Sequence, residues 1–134
     1  MENNNRRVVI TGMGIWSCLG TTLDEVKESL FNGKSGIIFS PERKEMGFES
    51  GLTASVKKPE LKGLVDRAHR VFMPEEAQYA YMSTVDALKM AKLDEDYIEK
   101  HDIGLLFGND SSADAVVKSV DTMREKKSTR LVGS

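Results

Sequence analysis

The chain is predicted to adopt an α/β fold. Two short apolar runs each break into glycine turns, and a helical pattern follows each of them. The first reads Arg7-Val8-Val9-Ile10-Thr11-Gly12-Met13-Gly14, and the second reads Gly104-Leu105-Leu106-Phe107-Gly108-Asn109-Asp110. An apolar run bounded by turn residues is the pattern of a buried strand, and glycine supplies backbone angles that side chains forbid. Residues 7–12 and 103–107 are the two expected strands. Strands joined through helices predict a parallel sheet. Typical sheets have about 4–6 strands, so two main strands predict part of a larger structure.

Between the strands, local signals place the helices. Thr22-Leu23-Asp24-Glu25 is a capping box, in which hydroxyl and carboxylate satisfy free amides at a helix start. Leu23, Val26, Leu30 and Phe31 fall on one face of that helix, and Gly33 is placed to end it in a left-handed cap. Residues 35–70 are less regular, with short strands expected at 36–39 and 52–56. Pro41, Gly47, Gly51 and Pro59 punctuate them. Pro74 stands at a helix start, and Glu75 and Glu76 suit its positive end. Ala77, Ala80, Tyr81, Thr84, Ala87, Leu88 and Ala91 then make a stripe of mostly small side chains that lets this helix lie close to its neighbour. Asp94 is placed to cap a short helix through Tyr97 and Ile98. Ser111 or Ser112 is expected to cap a last helix carrying Ala113, Val116, Val117, Val120 and Met123 on one face. The chain then turns basic at Arg124, Lys126, Lys127 and Arg130.

Composition sets the class of partner. Lys and Arg number 19 against 21 Asp and Glu, for a net charge of -2. A chain so near neutrality has no global attraction for nucleic acid or an anionic membrane, so any basic site is local. Cys18 is the single cysteine, which excludes an intrachain disulfide and fits a reducing compartment. No secretory h-region follows the polar start, and no run approaches the ~18 apolar residues of a membrane span. A soluble, cytoplasmic protein is expected.

Gly12, Gly14 and Gly20 invite a Rossmann-type nucleotide-binding reading. However, Ser17 stands where that motif needs glycine, and no acidic strand end follows to hold a ribose. A tight strand-to-helix turn accounts for the same glycines. Cys18 has only His69 and His101 as candidate bases, both remote in sequence, and reads as a small packed side chain. One cysteine and two scattered histidines make no metal-ligand spacing. Asp94 with Asp96, and Glu75 with Glu76, lie at helix starts, where the helix dipole explains them. Arg67 and Arg70 flank His69, and Lys126, Lys127 and Arg130 form a second basic group. Each group alone reads as a solvated face, and together they would make an anion patch.

Four landmarks, in order, carry a resemblance. Arg7-Val8-Val9-Ile10-Thr11-Gly12-Met13-Gly14 with Leu19-Gly20 is similar to the opening of the β-ketoacyl-acyl carrier protein synthases, the condensing enzymes of fatty acid synthesis. Gly33-Lys34-Ser35-Gly36-Ile37 resembles the next landmark. Gly63-Leu64-Val65-Asp66-Arg67, with Arg70 and Phe72-Met73, resembles the segment before the family's long N-terminal helix. Gly104-Leu105-Leu106-Phe107-Gly108-Asn109 resembles the strand and turn that follow it.

The resemblance implies a thiolase-like fold, two duplicated halves stacked as α-β-α-β-α layers. Residues 1–134 would be an N-terminal β-ketoacyl synthase domain, truncated before the catalytic cysteine. The family's nucleophilic cysteine, two histidines and lysine fall beyond residue 134 in the pattern, so no catalytic residue is carried onto this chain. Ser111 matches the gate of the acyl pocket. Arg67, Arg70, Lys127 and Arg130 match or adjoin the basic patch that docks acyl carrier protein, and Ala68 stands where some relatives have lysine. Arginine forks suit carboxylate and phosphate, and local basic residues can steer an acidic carrier. The resemblance further implies a homodimer in the full enzyme, with no metal or nucleotide cofactor and no nucleic-acid or membrane partner. A non-catalytic subunit of the chain-length-factor type is the alternative within the family.

Overall fold

A computed structural model of the chain describes residues 7–110 and 113–129. The element order is α1 (Leu23–Phe31), β1 (Ile38–Phe39), α2 (Pro41–Glu45), β2 (Leu52–Thr53), α3 (Arg67–Val71), α4 (Glu75–Ala91), α5 (Glu95–Lys100) and α6 (Ala113–Lys126). The chain divides into two compact units, Met1–Lys57 with Tyr81–Ile103 and Lys58–Ala80 with Gly104–Ser134.

In the first unit, α1 starts as the sequence predicts. The Thr22 hydroxyl accepts from the Glu25 amide at 3.2 Å, and the Glu25 carboxylate accepts from the Thr21 and Thr22 amides at 2.7 and 3.2 Å. These bonds to the charged form hold the Glu25 carboxyl below its ordinary value, the Thr21 amide contributing most. The helix ends in a Schellman arrangement: the Lys34 amide donates to Ser29 O at 2.8 Å and the Gly33 amide to Leu30 O at 3.2 Å. Gly33 has φ 62, as that cap requires.

The buried face of α1 matches the predicted one at Val26 and departs from it at Leu30 and Phe31. It carries Val26 and Ser29, whose hydroxyl donates to Leu19 O at 2.8 Å, whereas Phe31 is 83% exposed. Leu19 lies in a four-residue turn closed by the Ser17 amide on Gly20 O at 3.0 Å.

Gly12 and Gly14 press against the C-terminal part of α4. A Cβ at Gly12 would overlap Ala87 O and stand 3.0 Å from Ala91 Cβ, and one at Gly14 would overlap Ser83 O. The small-residue stripe of α4 makes this approach possible. In the same unit β1 and β2 pair antiparallel, Ile38 opposite Thr53 and Phe39 opposite Leu52. Asp94 caps α5, its carboxylate accepting from the Tyr97 amide at 2.9 Å.

The predicted parallel sheet is not formed among the described residues, where β1–β2 is the one sheet. Residues 7–12 and 103–107 join no ladder, and residues 7–11 and 103–107 are exposed rather than buried, with Val8 at 95% and Leu106 at 97%. A strand is satisfied only by a neighbour, and no described segment supplies one to either run.

In the second unit, Pro59 and Leu61 are buried. A turn at 61–65 leads to α3, closed by Leu61 O accepting from the Leu64 and Val65 amides at 3.1 and 3.0 Å. Helix α4 is shared between the units, with Glu75–Ala80 in the second and the remainder in the first.

Candidate functional site

Helix α3 and the end of α6 carry the basic residues, and both lie in the second unit. Asp66 caps α3, one carboxylate oxygen accepting from the His69 amide at 3.1 Å. Its other oxygen accepts from the His69 ring Nδ1–H. Both bonds favour the carboxylate, so the Asp66 carboxyl lies below its ordinary value, chiefly through the His69 ring. Arg67, the first residue of α3, is exposed and makes no ion pair among the described residues. Arg70 is half-buried, and its Nε is enclosed without a hydrogen-bond partner. Lys127 follows α6, exposed, with φ 50. A left-handed lysine also closes α4, where Lys92 has φ 58, so this conformation belongs to the helix end. The structure thus gathers Arg67, Arg70 and Lys127 into one unit. Arg130 and Ser111 lie outside the described residues.

A second polar cluster in the same unit was not foreseen from the sequence. Lys58 pairs with Glu75 at 2.9 Å, and the Tyr79 hydroxyl donates to Glu75 at 2.5 Å. The Tyr79 bond, then Lys58, lowers the Glu75 carboxyl. Burial, then the Glu75 carboxylate, pushes the Tyr79 phenol up to about 12. Glu75 and Tyr79 are four apart on one helix, a spacing at which side chains meet, and that was the available signal. Asn109 reaches Glu76 at 3.4 Å.

The remaining candidates resolve into packing. Gly12 and Gly14 are occupied by helix backbone, and the carbonyl oxygens facing them would repel a phosphate, which argues against the nucleotide reading. Cys18 is half-buried, and a Cβ at Gly36 would stand 2.8 Å from Cys18 O and press on its sulfur. The His101 ring stacks on Tyr97 at 3.9 Å and donates from Nδ1 to Tyr97 O at 2.8 Å. Among the described residues no three His, Cys, Asp or Glu side chains are grouped to hold a metal. No described helix is long and apolar enough to cross a membrane.

Comparison with known proteins agrees with the four landmarks. The family model described as "Beta-ketoacyl synthase, N-terminal domain" matches residues 5–134. The 3-oxoacyl-[acyl-carrier-protein] synthase 1 of Escherichia coli (strain K12) is 37% identical over 130 residues, 96% of this chain and 32% of that protein. The enzyme of the same name from Buchnera aphidicola subsp. Acyrthosiphon pisum (strain APS) is 37% identical over 108 residues, 80% of this chain and 26% of the relative. The crystal structure of a β-ketoacyl synthase from Burkholderia phymatum STM815 superposes with a TM-score of 0.74 at 29% identity, over 96% of this chain and 32% of that one. The chain therefore spans about a third of the length of relatives it matches almost throughout. With its landmarks, its fold and its sequence in agreement, the chain belongs to the β-ketoacyl synthase family, by way of that family's N-terminal domain.

Proposed function

We propose that the chain is the N-terminal part of a 3-oxoacyl-[acyl-carrier-protein] synthase, with residues 1–134 preceding the catalytic cysteine. The observation that carries this reading is the 37% identity to the Escherichia coli enzyme across 96% of the chain. The complete enzyme takes an acyl group from a carrier-protein thioester onto its cysteine, releasing the carrier thiol. Malonyl-carrier protein then loses carbon dioxide, and the carbanion attacks the enzyme thioester to give β-ketoacyl-carrier protein and free cysteine. It acts in the cytoplasm as a homodimer. Histidines and a lysine outside this chain polarise the thioester and assist decarboxylation.

This chain's share is recognition. Arg67, Arg70, Lys127 and Arg130 form the docking patch for acidic acyl carrier protein, and among its described members Arg67 and Lys127 are exposed. Arg70 contributes less, with its Nε enclosed. Ser111 gates the acyl pocket, where a small hydroxyl side chain leaves room for a growing chain.

The test reverses charge at Arg67 and Arg130 in the enzyme that contains this chain. Association with carrier protein should slow about tenfold at low salt. The loss should shrink as the Debye length falls from about 10 Å at 0.1 M to about 3 Å at 1 M. Turnover of a small acyl thioester lacking the carrier should be unchanged. Carrier kinetics left intact at low salt would return these residues to an ordinary solvated face.

A further inference from the structure

Helix α3 has five residues, far short of the roughly 12–15 at which an isolated helix holds itself together in water. A helix this short gains from a good cap. Asp66 supplies an unusually complete one: one oxygen accepts from the His69 amide at 3.1 Å, and the other accepts from the ring of the same residue. The backbone and side chain of His69 thus close on a single carboxylate and span the first turn. Arg67 sits inside this closed loop, at the first helical position. The clamp also occupies the carboxylate next to Arg67, so Asp66 is a poorer partner for that guanidinium. Arg67 makes no ion pair among the described residues.

We propose that Asp66 and His69 are positioning residues for Arg67: their clamp holds α3 in helical form and keeps the Arg67 guanidinium free for an acidic partner. The inference rests on the docking reading above and adds its mechanism. His69 acts as a local tie that leaves a neighbouring charge available, without itself touching the carrier.

The experiment measures association of holo-acyl carrier protein with the full protein at low salt, together with amide exchange in α3. The variants are Arg67→Glu, Asp66→Ala, His69→Ala, His69→Gln and the Asp66→Ala/His69→Ala pair. All replace exposed side chains. His69→Ala should slow association roughly fivefold, the size expected for loss of one side-chain hydrogen bond, and should speed exchange of the His69 and Arg70 amides. His69→Gln restores a donor four bonds from the backbone and should recover association to within about twofold. The double variant should be no worse than Asp66→Ala alone, because the two side chains act through one contact.

Two failures are distinguishable. If Arg67→Glu leaves association unchanged, the docking reading falls, and this inference falls with it. If Arg67→Glu slows association while His69→Ala does not, the docking reading stands and the clamp is wrong. The clamp is equally wrong if the two alanine losses add, or if His69→Gln fails to restore association.

Discussion

Replacing Gly12 by alanine tests how the N-terminal segment is seated on α4. A methyl group there would stand 3.0 Å from both the Ala87 carbonyl carbon and Ala91 Cβ, and would overlap Ala87 O. The oxygen belongs to helix backbone and cannot swing away as a side-chain end could. The segment must retreat by more than about 1 Å to recover ordinary contact distance, and its dispersion contacts are lost with it. Overpacking a filled site costs about 1–3 kcal/mol, and a rigid backbone partner puts Gly12→Ala at the upper end. Alanine returns about 0.4–1 kcal/mol by restricting the unfolded chain, leaving a net loss of about 2 kcal/mol. With a urea slope of about 1–3 kcal/mol per molar, the unfolding midpoint should fall by about 1 M. Trp16, the single tryptophan, lies two residues beyond Gly14 and reports the transition by fluorescence. Gly14→Ala should behave alike, because its methyl would overlap Ser83 O. Gly104→Ala is the control, since nothing stands within 4 Å of a Cβ there. Stability of Gly12→Ala within about 0.5 kcal/mol of the parent, the range of ordinary surface changes, would refute the close seating.

Two further outcomes follow from single contacts. Ser29→Ala removes the buried hydroxyl that donates to Leu19 O at 2.8 Å. It should cost about 1–2 kcal/mol in urea unfolding, with the Ser17–Gly20 turn exchanging faster. Glu75 has a folded-state carboxyl held below its unfolded value of 4.5, first by Tyr79 and then by Lys58. Its contribution to stability is therefore complete above about pH 4.5 and is lost as pH falls through the lower folded value; Glu75→Gln should flatten the acid limb of a stability–pH curve. In an ultraviolet titration of the three tyrosines, one should ionise near 12. Glu75→Gln should bring that phenol only part of the way back, because burial is the larger cause.

Local signals were legible where a few neighbouring residues decide the outcome. The Thr22–Glu25 box, the left-handed Gly33, the Glu75–Glu76 start and the Asp94 cap are all settled within one helical turn. The small residues of α4 also announced a close neighbour, which Gly12 and Gly14 provide. Strand pairing was not legible, because it depends on partners distant in sequence. Val8–Ile10 and Leu105–Phe107 read as buried strands, yet they stay exposed and unpaired among the described residues. The face of α1 departs from simple periodicity for a related reason. Ser29 is buried through a bond to Leu19, ten residues earlier, and helical periodicity alone favoured Leu30 and Phe31. At the site, the sequence named Arg67 and Lys127 but not their common unit, which is a tertiary fact. The Asp66–His69 clamp had a signal in its three-residue spacing, but nothing in the sequence shows the ring turning back to the same carboxylate.

A condensation assay tests the proposal that residues 1–134 serve carrier recognition in a β-ketoacyl synthase whose reacting groups lie outside them. The chain would be incubated with acyl- and malonyl-carrier protein, alone and then exchanged for the matching segment of the Escherichia coli relative. The chain alone should form no β-ketoacyl product, because its one thiol, Cys18, packs beside Gly36 and forms no hydrogen bond or ion pair with a base among the described residues. The exchanged enzyme should release carbon dioxide and β-ketoacyl-carrier protein in equal amounts. Turnover by the chain alone would contradict the account, as would an exchanged enzyme that folds and binds carrier protein but makes no product.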